Sequence, residues 1–269
     1  MTATDARSVS ETSVRSPSLL NGAVLANPAI GGPLLVSASG WVVLILWSRA
    51  EGGLALCTTP GPSASFMTSV REQMYLAPPV RQIAEWGVMS MAMMAPLALP
   101  ALAQLAARCY RTLRLPAILL ALAGYLAVWC VIGLPAIVLT VAARAVGSTL
   151  DRPVVVALLA GMAALAWCWT RIRIKAQRRC HVVPAPCGSP TRIVAVSGLF
   201  GMRLGLTCIA ICGPAMLALS IAGAGLPLML AMTHILLAER LVPDPRPARS
   251  GLGIGIVLLA ALIGSIPTA

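Results

Sequence analysis

The residues with chemistry to offer in this chain are soft sulfur donors set one helical turn apart inside apolar runs. In residues 85–100, EWGVMSMAMMAPLALP, four methionines fall within six positions. On an α-helix Met89 and Met93 stand one turn apart on one face, with Glu85 a further turn along, while Met91 and Met94 share a second face. Residues 201–219, GMRLGLTCIAICGPAMLAL, place Cys208 and Cys212 one turn apart in the same way. Thioethers or thiolates at this spacing can share one metal ion, and soft sulfur selects Cu(I) over harder ions. Each pattern also has a plain packing role, because methionine fills irregular gaps and small residues let membrane helices approach closely.

Two prolines fall beside these sulfurs. Pro96 frees the carbonyl of Ala92 and Pro214 that of Ala210, and in lipid each must find a neighbouring helix or a water. A third segment, residues 225–241, GLPLMLAMTHILLAERL, sets Met229, Met232 and Glu239 on one stripe, with His234 nearly opposite. If it folds back on its predecessor about Ala222 and Gly223, Cys212 comes level with Thr233, and Arg203 is expected to pair with Glu239. Counted from the helix ends, Met93 and Cys212 lie about 14 to 15 Å deep, and Met232 and His234 about 10 to 15 Å. Soft donors from three helices thus share one depth, and His234 stays among the candidates on that ground. The run RIRIKAQRRCHVVPAPC, residues 171–187, reads as a basic loop held at the lipid surface. Cys180, His181 and Cys187 offer a weaker alternative there, a point of metal entry or exit.

Long apolar helices must position these residues. The chain is 58% apolar and 10% charged, with a mean hydropathy of +0.88, and so cannot cover itself with a polar surface. It is expected to be all-α, a polytopic transmembrane helical bundle of about seven spans at 33–47, 83–107, 115–143, 154–170, 194–221, 225–238 and 252–267. The runs lack the alternation of barrel strands. Residues 1–32 read as a disordered cytoplasmic tail without a signal peptide, and 33–269 as the transmembrane domain. With seven spans, fourteen of the twenty basic residues fall on the side of the tail, which predicts a cytoplasmic N-terminus. The net charge of +12 is then an orientation signal and an attraction to anionic lipid, with no nucleic-acid partner implied. The preference for Arg over Lys, with abundant Ala, points to a GC-rich bacterial genome and an inner membrane. Cys109, Cys130 and Cys168 read as small buried hydrophobes, and Cys57 falls in an external loop.

The segments EWGVMSMAMMAPLALP, IKAQRRCHVVPAP, GMRLGLTCIAICGPAML and LAERL, in that order, resemble the DUF2182 family of metal-binding integral membrane proteins over residues 85–242. The resemblance implies a membrane metal site of unestablished reaction, and carried over position by position it points to Met89, Met93, Met94, Cys208, Cys212, Met216, Met232 and Glu239. Where that pattern has a Trp soon after the second cysteine, this chain has Gly213 and Pro214, and its closing pair is Glu239-Arg240 in place of Glu-Lys. No Ser-His-Asp set, paired intramembrane carboxylate or phosphate loop supports an enzyme. The expectation is therefore transport or delivery of Cu(I), with a metal donor or acceptor protein as partner. A metal-free scaffold or assembly subunit is the alternative.

Overall fold

The structure is a computed structural model describing residues 28–50, 65–179, 190–241 and 247–264. The chain is all-α. In order come α1 (Pro28–Ala50), α2 (Phe66–Leu76), α3 (Pro79–Met94), a 3-10 turn (Pro96–Ala98), α4 (Leu99–Arg108) and α5 (Arg114–Thr149). There follow α6 (Pro153–Trp167), α7 (Arg171–Arg179), α8 (Pro190–Ile221), α9 (Leu226–Leu241) and α10 (Pro247–Gly264). Cys57, Cys180, His181, Cys187 and residues 1–27 lie outside the described residues.

Among the described residues four stretches are long and apolar enough to cross a bilayer: Ile30–Ala50, Pro79–Arg108, Arg114–Thr149 and Ala195–Ile221. A fifth is formed if α6 and α7, bent 59° from one another, count as one broken span. With 16 residues, α9 reaches only about 24 Å, and the apolar part of α10, Gly251–Ala261, is shorter. Each of the seven expected runs thus coincides with helix over most of its described residues, but not all have the length of a full crossing. The helix α2 was not expected from the sequence. A capping box opens it, Ser65 Oγ accepting from the Thr68 N–H at 3.2 Å and Thr68 Oγ1 from the Ser65 N–H at 3.1 Å.

The bundle is organised about α5 and α8, which run parallel in close contact. Glycine permits the approach. A Cβ on Gly201 would run into the Ala121 carbonyl, and one on Gly205 would meet the Tyr125 carbonyl at 3.0 Å. Gly124 answers from α5, its face pressed on the Gly198 carbonyl. In a bilayer, where no water drives helix association, dispersion at such small-residue seams does much of the joining. Arg144, one residue past the expected run at 115–143, is instead buried within α5 and donates to the Ser220 carbonyl near the end of α8. Its charge complements the negative end of that helix.

Turn chemistry sets the direction of α9. Gly223 has φ of 67°, and Ala224 N–H reaches Leu219 O at 3.0 Å while Gly223 N–H reaches Ser220 O at 3.1 Å. This pair of bonds is a Schellman ending, which needs a left-handed residue at Gly223. Both proline-freed carbonyls find side-chain donors, as the sequence required. Ser37 Oγ of α1 donates to Ala92 O at 2.6 Å, and Trp167 Nε1 of α6 to Ala210 O at 2.7 Å. Gly40 lets α1 cross α3 at that point, since a Cβ there would lie 2.8 Å from Ala92 N.

Candidate metal centre

Helix α3 turns Met89, Met93 and Met94 inward, α8 turns Cys208, Cys212 and Met216 inward, and α9 turns Met229 and Met232 inward. All eight side chains belong to one contiguous buried core. On α8 the three donors recur every fourth residue, so they form a single stripe. Packing of α9 against α3 and the 3-10 turn brings the Met232 helix to the Met93 helix. Of the expected site residues His234 stands apart. It is exposed on the outer face of α9, its Nδ1 2.8 Å from the Leu230 carbonyl.

The two thiols are the best-defined part of the centre. Cys208 and Cys212 are fully buried, with sulfurs 3.8 Å apart. For metal–sulfur bonds of about 2.3 Å that separation corresponds to an angle of roughly 110°, suited to a three- or four-coordinate ion and too narrow for a linear one. Further ligands are therefore required. Among the described residues no group of three or more His, Cys, Asp or Glu converges as a metal centre, so the remaining positions would fall to thioethers. Tyr125 Oη donates to Cys208 Sγ at 3.1 Å, and the Arg240 guanidinium lies near the same sulfur.

Glu239 does not pair with Arg203, which is exposed on α8. Its partner is Arg173, whose Nη2 lies 2.8 Å from Glu239 Oε2. The reason is the bend between α6 and α7, which folds the short basic helix against α8 and carries Arg173 inward to full burial. Arg173 Nε also donates to Ile211 O at 3.3 Å, next to Cys212 and the Pro214 kink. Removing one member of a buried pair strands the other. Glu239→Gln and Arg173→Met should each lower stability by about 3 kcal/mol, and the double substitution to Met should recover most of the loss. Thermal unfolding of purified protein measures this.

Tyr125, Arg173 and Arg240 were not picked out as parts of the centre from the sequence. Tyr125 carried a signal, being the one of three tyrosines that falls inside an apolar run. So did Arg173, since it opposes Arg171, Lys175 and Arg178 on a helical wheel. Of the other cysteines, Cys109 and Cys168 are buried as expected and Cys130 is exposed. At Cys109 burial pushes the thiol above its ordinary value, with Arg114 partly opposing. Gly213, where the resemblance has a Trp, lines an apolar cavity of about 390 Å³ together with Trp86, Trp129, Trp167 and Pro214. The departure from the pattern leaves the burial of Cys208 and Cys212 intact.

Comparison with known proteins gives one family. The model of PpoB2, described as a copper chaperone, matches residues 83–263, more than half of the chain. The match supports the copper-related part of the expectation and does not carry the name DUF2182. No curated protein and no solved structure matches.

Proposed function

We propose, from the premise that this chain belongs to the PpoB2 copper chaperone family, that it holds one Cu(I) ion between α3, α8 and α9 and exchanges it with a partner protein. The observation that carries this reading is the buried thiol pair, 3.8 Å apart, set in a core shared with Met89, Met93, Met94, Met216 and Met232. Cys208 and Cys212 bind as thiolates and release protons on loading. Thioethers from Met93 and Met232 complete the coordination as neutral soft ligands. Glu239 serves the site through Arg173, to which it is paired, and His234 is left out of the ligand set.

Charge favours a monovalent ion. Arg173 and Arg240 against Glu239 leave one positive charge in excess beside the thiols, and one thiolate neutralises it. Adding Cu(I) together with the second thiolate keeps the sum at zero, whereas a divalent ion leaves an uncompensated buried charge. Loaded anaerobically with Cu(I), Ag(I) or Zn(II) and passed through gel filtration, the protein should retain about one equivalent of either monovalent ion and little zinc. Retention of Zn(II) in preference to Ag(I) would overturn the assignment.

The setting proposed is a bacterial inner membrane, with seven membrane-inserted helices, a cytoplasmic N-terminal tail and the basic helix α7 on the cytoplasmic side. The placement of basic residues supports this orientation. Delivery suits the site better than catalysis, because a fully buried sulfur cluster offers a soft ion tight binding without an open position for a substrate.

A further inference from the structure

The basic run that begins at Arg171 is not a featureless loop. Over Arg171–Arg179 it forms α7, and the wheel divides sharply. Arg171, Lys175, Arg178 and Arg179 are exposed along one arc, while Arg173, Ala176 and Gln177 are buried against the bundle. No acidic residue occurs in α7, and among the described residues no ion pair involves the four outward cations.

Two further observations bear on what meets this face. Trp169 and Ile172, beside the cations, are 54% and 59% exposed, and an exposed indole among cations at the end of an apolar span is the pattern of a lipid–water boundary. In addition, Arg171 opens the helix, where the dipole is positive and a cation is unfavourable unless an anion is near. Glu239 supplies that anion to Arg173. Thr170 Oγ1 accepts the Arg173 N–H at 3.3 Å and so caps the first turn.

We propose that the outer face of α7 binds the phosphates of anionic bilayer lipids, and that this contact holds Arg173 across Glu239 and the Ile211 carbonyl as a latch over the Cys212 side of the sulfur pocket. The latch follows from the geometry. The same nine-residue helix presents four cations outward and one fully buried guanidinium inward, so a force that seats the outer face also seats Arg173. Salt should loosen it, because screening acts on the exposed charges far more than on the buried pair.

The test compares the full chain in nanodiscs of phosphatidylcholine alone and of phosphatidylcholine mixed with phosphatidylglycerol, without copper, so the outcome does not depend on the proposed metal. Deuterium uptake over 171–179 should be about tenfold slower in the anionic discs at low salt. The difference should vanish at high salt and in the variant R171Q/K175Q/R178Q/R179Q. Alkylation of Cys212 by a small maleimide, read by peptide mapping, should be faster in neutral discs than in anionic ones. Equal uptake in both discs overturns the lipid site, and slowed uptake with unchanged Cys212 alkylation overturns the latch. Slowing produced by added polyglutamate, with none from phosphatidylglycerol, would reassign the face to an acidic protein. The two-disc comparison uses the unaltered protein, so the proposal stays testable even if the Gln variant does not fold.

Discussion

Replacing Cys208 and Cys212 together with serine is expected to abolish retention of Cu(I) while leaving the fold in place. Serine is close in size and can hydrogen-bond as the thiol does, so Tyr125 keeps a partner and the core keeps its volume. The hydroxyl, however, is a hard donor that stays protonated, and both anionic ligands are lost. A loss of at least ~4 kcal/mol, or about a thousandfold in affinity, follows if each thiolate contributes even a small part of the binding energy usual at thiolate sites. Competition with a colorimetric Cu(I) chelator measures it, with helical content by circular dichroism as the control. A double-serine protein that still competed at the original affinity would remove the thiols from the site. The same substitution at Cys109 and Cys168 should leave affinity unchanged, which separates the pair from the other buried cysteines.

The second large effect lies in the seam and involves no metal ligand. Gly201→Val is expected to prevent α8 from docking on α5, because the added Cβ would fall on the Ala121 carbonyl group and within 2.8 Å of its Cα. Backbone cannot swing away as a side chain end can, so the strain reaches or exceeds the roughly 3 kcal/mol upper range of ordinary overpacking. Loss of the docking also separates Cys208 from Tyr125, since both contacts belong to one parallel register. The variant should therefore yield little monodisperse protein, and what survives should bind copper weakly. Gly213→Ala is the contrast. There a Cβ meets only the Ile209 side chain, at an ordinary 3.4 Å, and the change should stay within about 0.5 kcal/mol. Size-exclusion profiles and thermal scans of the two variants side by side decide the point.

Much of this architecture was present in the order of residues alone. The apolar runs required helices, Pro96 and Pro214 required foreign donors for the carbonyls of Ala92 and Ala210, and Gly223 required a reversal. These are local consequences of chain length, a missing N–H and a missing Cβ, and they hold wherever the rest of the chain goes. The methionine and cysteine stripes were legible for the same reason, because helical periodicity fixes which residues share a face. Tertiary structure decided which cation meets Glu239. The sequence required a positive partner for a carboxylate in that position, but pairing two arms about a turn selected Arg203. The 59° bend after Trp167 brought Arg173 from a neighbouring segment instead. It likewise decided that His234 faces out while Met232 faces in, and that Tyr125 ends at Cys208. Such choices depend on how separate helices are rotated and tilted against each other. That is set by summed packing across α5, α8 and their neighbours, and no single stretch of sequence contains it.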